Sequence, residues 1–368
     1  MKTKLHELAD LGQSVWLDYI HRSLIDSGEL RDYIDEGLRG VTSNPAIFAD
    51  AIANSDVYDE QIQKLSRERK SPEEIYEELT VEDSRMAADI LRPVFDETEG
   101  MDGYFSLEVN PHLAHDKMGT IKEAFRLFKA IDRPNIMTKV PATAEGISAF
   151  KELTEEGINI NVTLMFSLAQ YDLVAEAFIS ALEKRVANVY NVKTIASVAS
   201  LFVSRLDTKV DEMLDDLDTP RGKSIKGKIG IANAKLVYQH FKESFQSERW
   251  EHLADKGARL QRVLYGSTGT KNPDYLDVMY MDNLIGPNTV NTAPPKTLEA
   301  FLDHGKVAST LESNLEEARA QLDELAELGI DLDDVTDQLL REGVEKFSDP
   351  YDSLIETIAR KKMNLIAT

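Results

Sequence analysis

Short apolar runs alternate along the whole chain with longer stretches in which apolar residues recur every three to four positions. Eight of the short runs read as strands: VWLDYI (15–20), GVTSN (40–44), YFSLEV (104–109), NIMTKVP (135–141), INVTLMF (160–166), TIASVAS (194–200), RVLYGS (262–267) and NTVNTAP (288–294). Most are apolar on both faces of the pleat, the pattern of parallel strands covered on both sides. Helical patterns between them make repeated βα units, and eight such units predict an α/β fold closed into a (β/α)8 TIM barrel.

The helical stretches carry their own punctuation. In residues 71–95, Ser71 is placed as an N-cap, Pro72 takes the first helical position and acids fill the first turn. Ile75, Leu79, Met86, Ile90, Leu91 and Val94 then recur at helical spacing. Residues 168–185 and 231–245 are further amphipathic helices. The segment 45–103, between strands two and three, is too long for one helix and predicts extra helices there. Residues 297–368 predict several peripheral C-terminal helices. No low-complexity linker divides the chain, so one barrel domain over 1–368 is expected.

A length of 368 residues suits this reading, since a barrel of this kind takes about 250 residues and tolerates insertions. Sixty-five acidic against 42 basic residues leave a formal net charge of −23, which disfavours nucleic acid as a partner. Any site for an anionic substrate must then be a local basic island. The absence of cysteine excludes disulfides, thiolate nucleophiles and cysteine-ligated metals. The opening MKTKLHELADLGQ lacks signal-peptide architecture, and no stretch approaches the roughly 18 apolar residues of a membrane span. A cytoplasmic protein with no membrane partner is expected.

Catalysis on a barrel sits at the C-terminal ends of the strands, so polar residues in or just after apolar strands carry the information. Here they are Asp18, Asn44, Glu108, Lys139, Asn161, Thr163, Ser200 and Ser267. Lys139 lies among Met137, Val140 and Pro141. Burial disfavours the charged form of an amine, and a neutral amine can attack a ketone to form an iminium, an electron sink for carbon–carbon cleavage. The plainer alternative is a strand-end lysine reaching solvent or pairing with a carboxylate. Asp18 and Glu108 are candidate proton handlers; they could instead form ion pairs with Lys139 or Arg205, or hold Mg²⁺. Arg205 after strand six and Lys271 in the YGSTGTKNP turn after strand seven could receive a phosphate, or Lys271 could be an exposed turn residue.

Six segments together resemble the bacterial transaldolases, within the class I Schiff-base aldolases: GVTSNPAIF (40–48), FSLEVNPHLAHD (105–116), MTKVPATAEG (137–146), INVTLMFSLAQ (160–170), SVASLFVSRLD (197–207) and YGSTGTKNP (265–273). The resemblance spans most of the chain. It implies transfer of a dihydroxyacetone unit from sedoheptulose 7-phosphate to glyceraldehyde 3-phosphate, giving erythrose 4-phosphate and fructose 6-phosphate, without metal or organic cofactor. It implies Lys139 as the Schiff-base lysine, Asp18 as general acid/base, and Glu108 with Thr163 as a proton shuttle through water. Asn44, Asn161 and Ser200 would hold hydroxyls, Phe202 would line the pocket, and Arg205, Ser267 and Lys271 would bind phosphate. One departure stands out: many relatives carry arginine two residues after the strand-seven serine, where this chain has Gly269. The nearest cation, Lys271, binds phosphate as a point charge without arginine's fork.

Competing expectations are a fructose 6-phosphate aldolase-like lyase, a metal-dependent sugar-phosphate isomerase or lyase, and a non-catalytic sugar-phosphate-binding barrel. A monomer or homodimer is expected.

Overall fold

The computed structural model describes residues 2–367. Its strands are β1 (Gln13–Asp18), β2 (Gly40–Thr42), β3 (Tyr104–Glu108), β4 (Ile136–Pro141), β5 (Ile160–Met165), β6 (Ser197–Phe202), β7 (Arg262–Gly266) and β8 (Thr289–Ala293). Each pairs in parallel with the next, and β1 also pairs with β8, so the sheet closes. The expected (β/α)8 barrel is the observed fold.

Two strands are displaced from where the apolar runs put them. β1 starts at Gln13, two residues early, because its polar start is satisfied by distant partners: Gln13 Nε2 donates to the Leu284 carbonyl and to Thr289 Oγ1. β6 starts three residues late and runs to Phe202, which pairs in register with Gly266.

Alternation of side chains across the strands explains how the barrel interior is built. Trp16, Tyr104, Met137, Val198, Leu264 and Val290 form one buried cluster. Two residues further along each of those strands stand Asp18, Ser106, Lys139, Ser200, Gly266 and Thr292. The same face of each strand is therefore apolar at one pleat and, in most strands, polar at the next. Gly40 has no room for a side chain: a Cβ there would lie 2.6 Å from the Trp16 ring, so glycine admits the indole.

Ser71 caps helix Pro72–Glu97 in a capping box with Glu74, as its sequence predicts. Residues 45–103 contain three helices, Pro45–Ala53, Asp59–Arg67 and Pro72–Glu97. Leu168–Ala187 and Ile229–Ser244 lie within two residues of their expected bounds. A large apolar cluster fills the space between barrel and helices. A separate cluster, including Leu164, Phe202, Leu206, Leu325, Leu339 and Phe347, joins helix Ser204–Leu217 to the C-terminal helices.

The last helix, Leu332–Ala367, packs on helix Pro45–Ala53 after β2 and on helix Ser204–Leu217 after β6. β2 and β6 are opposite each other in an eight-stranded barrel, so this helix crosses the barrel's mouth. Among the described residues, no helix is long and apolar enough to cross a membrane.

Candidate active site

A cavity of about 660 Å³ opens at the C-terminal ends of the strands. Asp18, Asn44, Lys139, Asn161 and Thr163 line one part of it; Ser200, Phe202, Arg205, Ser267 and Lys271 line the other. Glu108 stands behind Lys139: its Oε2 is 3.5 Å from Nζ, and both side chains are about 95% shielded from solvent. Glu108 also borders a separate cavity of about 260 Å³ with Tyr76, Asn110 and Tyr351. The pairing follows from register, since Glu108 lies opposite Lys139 and Lys139 opposite Asn161 across adjacent strands.

Lys139 Nζ donates to the Ser43 carbonyl at 2.9 Å. That loop is held by Ser43, whose N–H and Oγ both donate to the Ser106 carbonyl. The amine therefore does not reach bulk solvent; of the two plainer alternatives, the one the geometry shows is the pairing with a carboxylate, Glu108.

Burial pushes the Glu108 carboxyl up to about 7 from its usual 4.5, against the pull of the Lys139 ammonium. The Asp18 charge adds to the rise and Arg205 opposes it. Glu108 Oε2 and Thr163 Oγ1 are buried without a hydrogen-bond partner among the described residues. Spare hydrogen-bonding capacity in a buried place is costly unless something else uses it.

Asp18 accepts from Thr42 Oγ1 at 2.7 Å. With that proton committed, Thr292 is the donor in the 2.8 Å contact between Thr292 and Thr42 hydroxyls. A second chain crosses the lumen: Ser200 Oγ donates to Asn161 Oδ1 at 2.6 Å, and Asn161 Nδ2 to Ser106 Oγ at 3.3 Å. Asn44 Oδ1 caps helix Pro45–Ala53 by accepting from Ile47 N–H, which leaves its NH₂ free of that duty. Thr42, Ser106 and Thr292 are missing from the sequence reading, although they obey the rule used there, being polar residues inside apolar strands.

Cations collect on the β6–β7 side. Arg205 and Lys209 come from helix Ser204–Leu217, Lys271 from the loop after β7, and Lys346 from the last helix. Glu212 and Glu342 share this wall, and Glu342 lies 3.4 Å from both Lys209 and Lys346. Ser267 sits at φ 53°, a left-handed conformation uncommon outside glycine, held by Ser204 through a backbone bond and a 2.8 Å hydroxyl contact. At Gly269 a Cβ would already lie 3.1 Å from Thr297 Oγ1 and 3.3 Å from Pro294, so the chain packs tightly at this position. Lys209 and Lys346 were also missed; no strand-end rule finds residues on helices that reach the mouth through tertiary packing.

Fold and site define a class: a (β/α)8 barrel enzyme with a buried amine and carboxylates at the mouth, and several cations on the same cavity wall. Its family is given by likeness to known proteins. The model of the transaldolase/fructose-6-phosphate aldolase family matches residues 15–358. A transaldolase of Trichodesmium erythraeum is 47% identical over 372 residues, covering 98% of both chains. A transaldolase of Thiobacillus denitrificans is 47% identical over 353 residues, covering 96% of this chain and 98% of that one. Nostoc punctiforme transaldolase 2 is 45% identical over 369 residues, covering 97% of each. The chain belongs to the transaldolase/fructose-6-phosphate aldolase family.

Proposed function

We propose that this protein is a transaldolase, a transferase that moves a dihydroxyacetone unit from sedoheptulose 7-phosphate to glyceraldehyde 3-phosphate. The products are erythrose 4-phosphate and fructose 6-phosphate. The observation that carries the reading is the buried Lys139 amine, 3.5 Å from Glu108, on the wall of a cavity that also holds Asp18 and a cluster of cations. Family membership and relatives all named transaldolase support it.

The chemistry follows from the residues. After giving up its proton, the Lys139 amine adds to the ketose carbonyl, and loss of water from the carbinolamine gives an iminium. Glu108, poised near neutrality, can give a proton to the departing hydroxyl and recover it later. A water between Glu108 and Thr163 would use the hydrogen-bonding capacity that both leave free. Asp18, held by Thr42, takes the proton from the hydroxyl beside the breaking carbon–carbon bond. The electrons of that bond pass into the iminium, and the aldehyde fragment leaves. The remaining three-carbon enamine attacks the acceptor aldehyde by the reverse steps.

Asn44, Asn161 and Ser200 hold hydroxyls of the three-carbon unit, and Phe202 closes the pocket beside them. Arg205, Ser267 and Lys271 receive the phosphate, helped by the positive end of helix Ser204–Leu217. A monomer or homodimer acting in the cytoplasm fits this reading.

The test is borohydride reduction in the presence of fructose 6-phosphate, followed by peptide mass mapping. One adduct is expected, on the peptide containing Lys139; an adduct elsewhere, or none, overturns the assignment. The family name also covers fructose 6-phosphate aldolase. Turnover that requires an acceptor aldehyde marks the transferase, whereas release of free dihydroxyacetone without acceptor marks the lyase.

A further inference from the structure

We infer that Phe347, on the helix that crosses the mouth, is a positioning residue for the Arg205 guanidinium and so sets affinity for the phosphate end of the substrate. This rests on the reading of Arg205 as a phosphate ligand. The Arg205 Cζ lies 5.1 Å from the Phe202 ring centroid and 5.5 Å from that of Phe347. One ring closes β6; the other arrives from 145 residues later in the chain.

A guanidinium meets an aromatic ring through its flat face, while its N–H donors lie around its edge. Two rings can therefore fix the plane of Arg205 without consuming a donor. Nη1 is buried and has no hydrogen-bond partner among the described residues, so the group is held in place and still has a donor to offer. A carboxylate partner would hold the arginine equally well, but would compete with phosphate for the same donors.

The helix is seated closely enough for this. At Gly343, one turn before Phe347, a Cβ would lie 3.0 Å from Leu164 Cδ2. Leu164 itself is at φ 56°, within the register slip between Val162 and Met165 in the pairing of β5 with β6. Glu342 adds a link to Lys209, one turn beyond Arg205, at 3.4 Å. Both partners of that link are about a quarter exposed, so the apolar contacts of Phe347 and Leu339 do most of the holding.

The test is a double-mutant cycle read in steady-state kinetics with fructose 6-phosphate and an acceptor aldehyde. Phe347→Leu, which keeps apolar bulk but loses the ring face, is expected to raise KM about 2- to 30-fold, with kcat within about twofold. Phe347→Tyr, which restores the face, should return KM towards the parent value. In an Arg205→Ala background, Phe347→Leu should add little further to KM. The same fold-rise in KM in both backgrounds, a fall in kcat with unchanged KM, or a Phe347→Tyr protein as impaired as Phe347→Leu would overturn the inference. If Arg205→Ala alone leaves KM unchanged, the phosphate role of Arg205 is what fails. Thermal unfolding of each variant separates lost folding from lost affinity, and the tyrosine variant keeps the comparison decisive if leucine is not tolerated.

Discussion

At the N-terminal end of the barrel, Arg262 and Asp102 sit 2.8 Å apart and are almost wholly buried. Asp102 also accepts from Ser14 Oγ and Trp16 Nε1, while Arg262 donates to Ser14 Oγ and to the Met101 carbonyl. At the C-terminal end, Lys139 and Glu108 are as deeply buried but 3.5 Å apart, and Glu108 Oε2 has no hydrogen-bond partner among the described residues. The first pair is closed by its neighbours and has little freedom to exchange a proton or bind a ligand. The second keeps its valences open in a cavity. At the mouth, burial leaves a carboxyl that titrates near neutrality beside an amine on the cavity wall.

The sharpest way to break this contrast is Lys139→Met, which should reduce transaldolase turnover to background and abolish the borohydride-trapped adduct. Its stability should change little, because Glu108 can take up a proton once its partner is gone. A large loss of stability in that variant, followed by denaturant unfolding, would show that the mouth pair is structural after all.

Glu108→Gln should slow turnover by about 10²–10⁴-fold. The native state holds the Glu108 proton more tightly than the unfolded chain does, about 7 against 4.5. This group's contribution to stability is therefore greatest at low pH and is lost as pH rises through about 4.5 to 7. The glutamine variant should remove that slope from stability-versus-pH data, and remove any inflection near pH 7 from the kcat profile. Profiles superimposable on those of the parent would refute the assignment.

Asp102→Ala does the opposite experiment at the other end. Leaving Arg262 buried and unpaired should cost about 3–5 kcal/mol in denaturant unfolding. Activity per folded molecule should hold. Lost activity in fully folded protein would mean that the two ends are coupled.

The smallest effect is expected at Lys271, an exposed rim residue. Lys271→Ala should raise KM for fructose 6-phosphate only severalfold, more at low ionic strength than at high, because exposed charges are screened. A rise that ignores salt would point to a buried role.

Much of this site was legible in the chain because barrel geometry converts a strand-end position into a mouth position. Asp18, Glu108, Lys139 and Asn161 stood out as polar residues inside apolar runs, and alternation by two carries them inward. The same rule applied more fully would have found Thr42, Ser106 and Thr292. It could not find Lys209, Lys346 or Phe347, whose helical spacing reads as ordinary amphipathic surface. Nor could it place the start of β1, where Gln13 bonds to residues more than 270 positions away.

What the sequence by itself determined is local and periodic: the order of strands and helices, the Ser71 cap, the eightfold βα repeat that closes into a barrel, and the lysine on the fourth strand. Only the tertiary structure decided which neighbours each polar group would meet. It set Glu108 beside Lys139 through strand register, and it laid the last helix across the mouth so that Phe347 could face Arg205. The physical reason is range. Propensity and periodicity act over a few residues, whereas a buried charge answers to whatever the folded chain brings within a few ångströms of it.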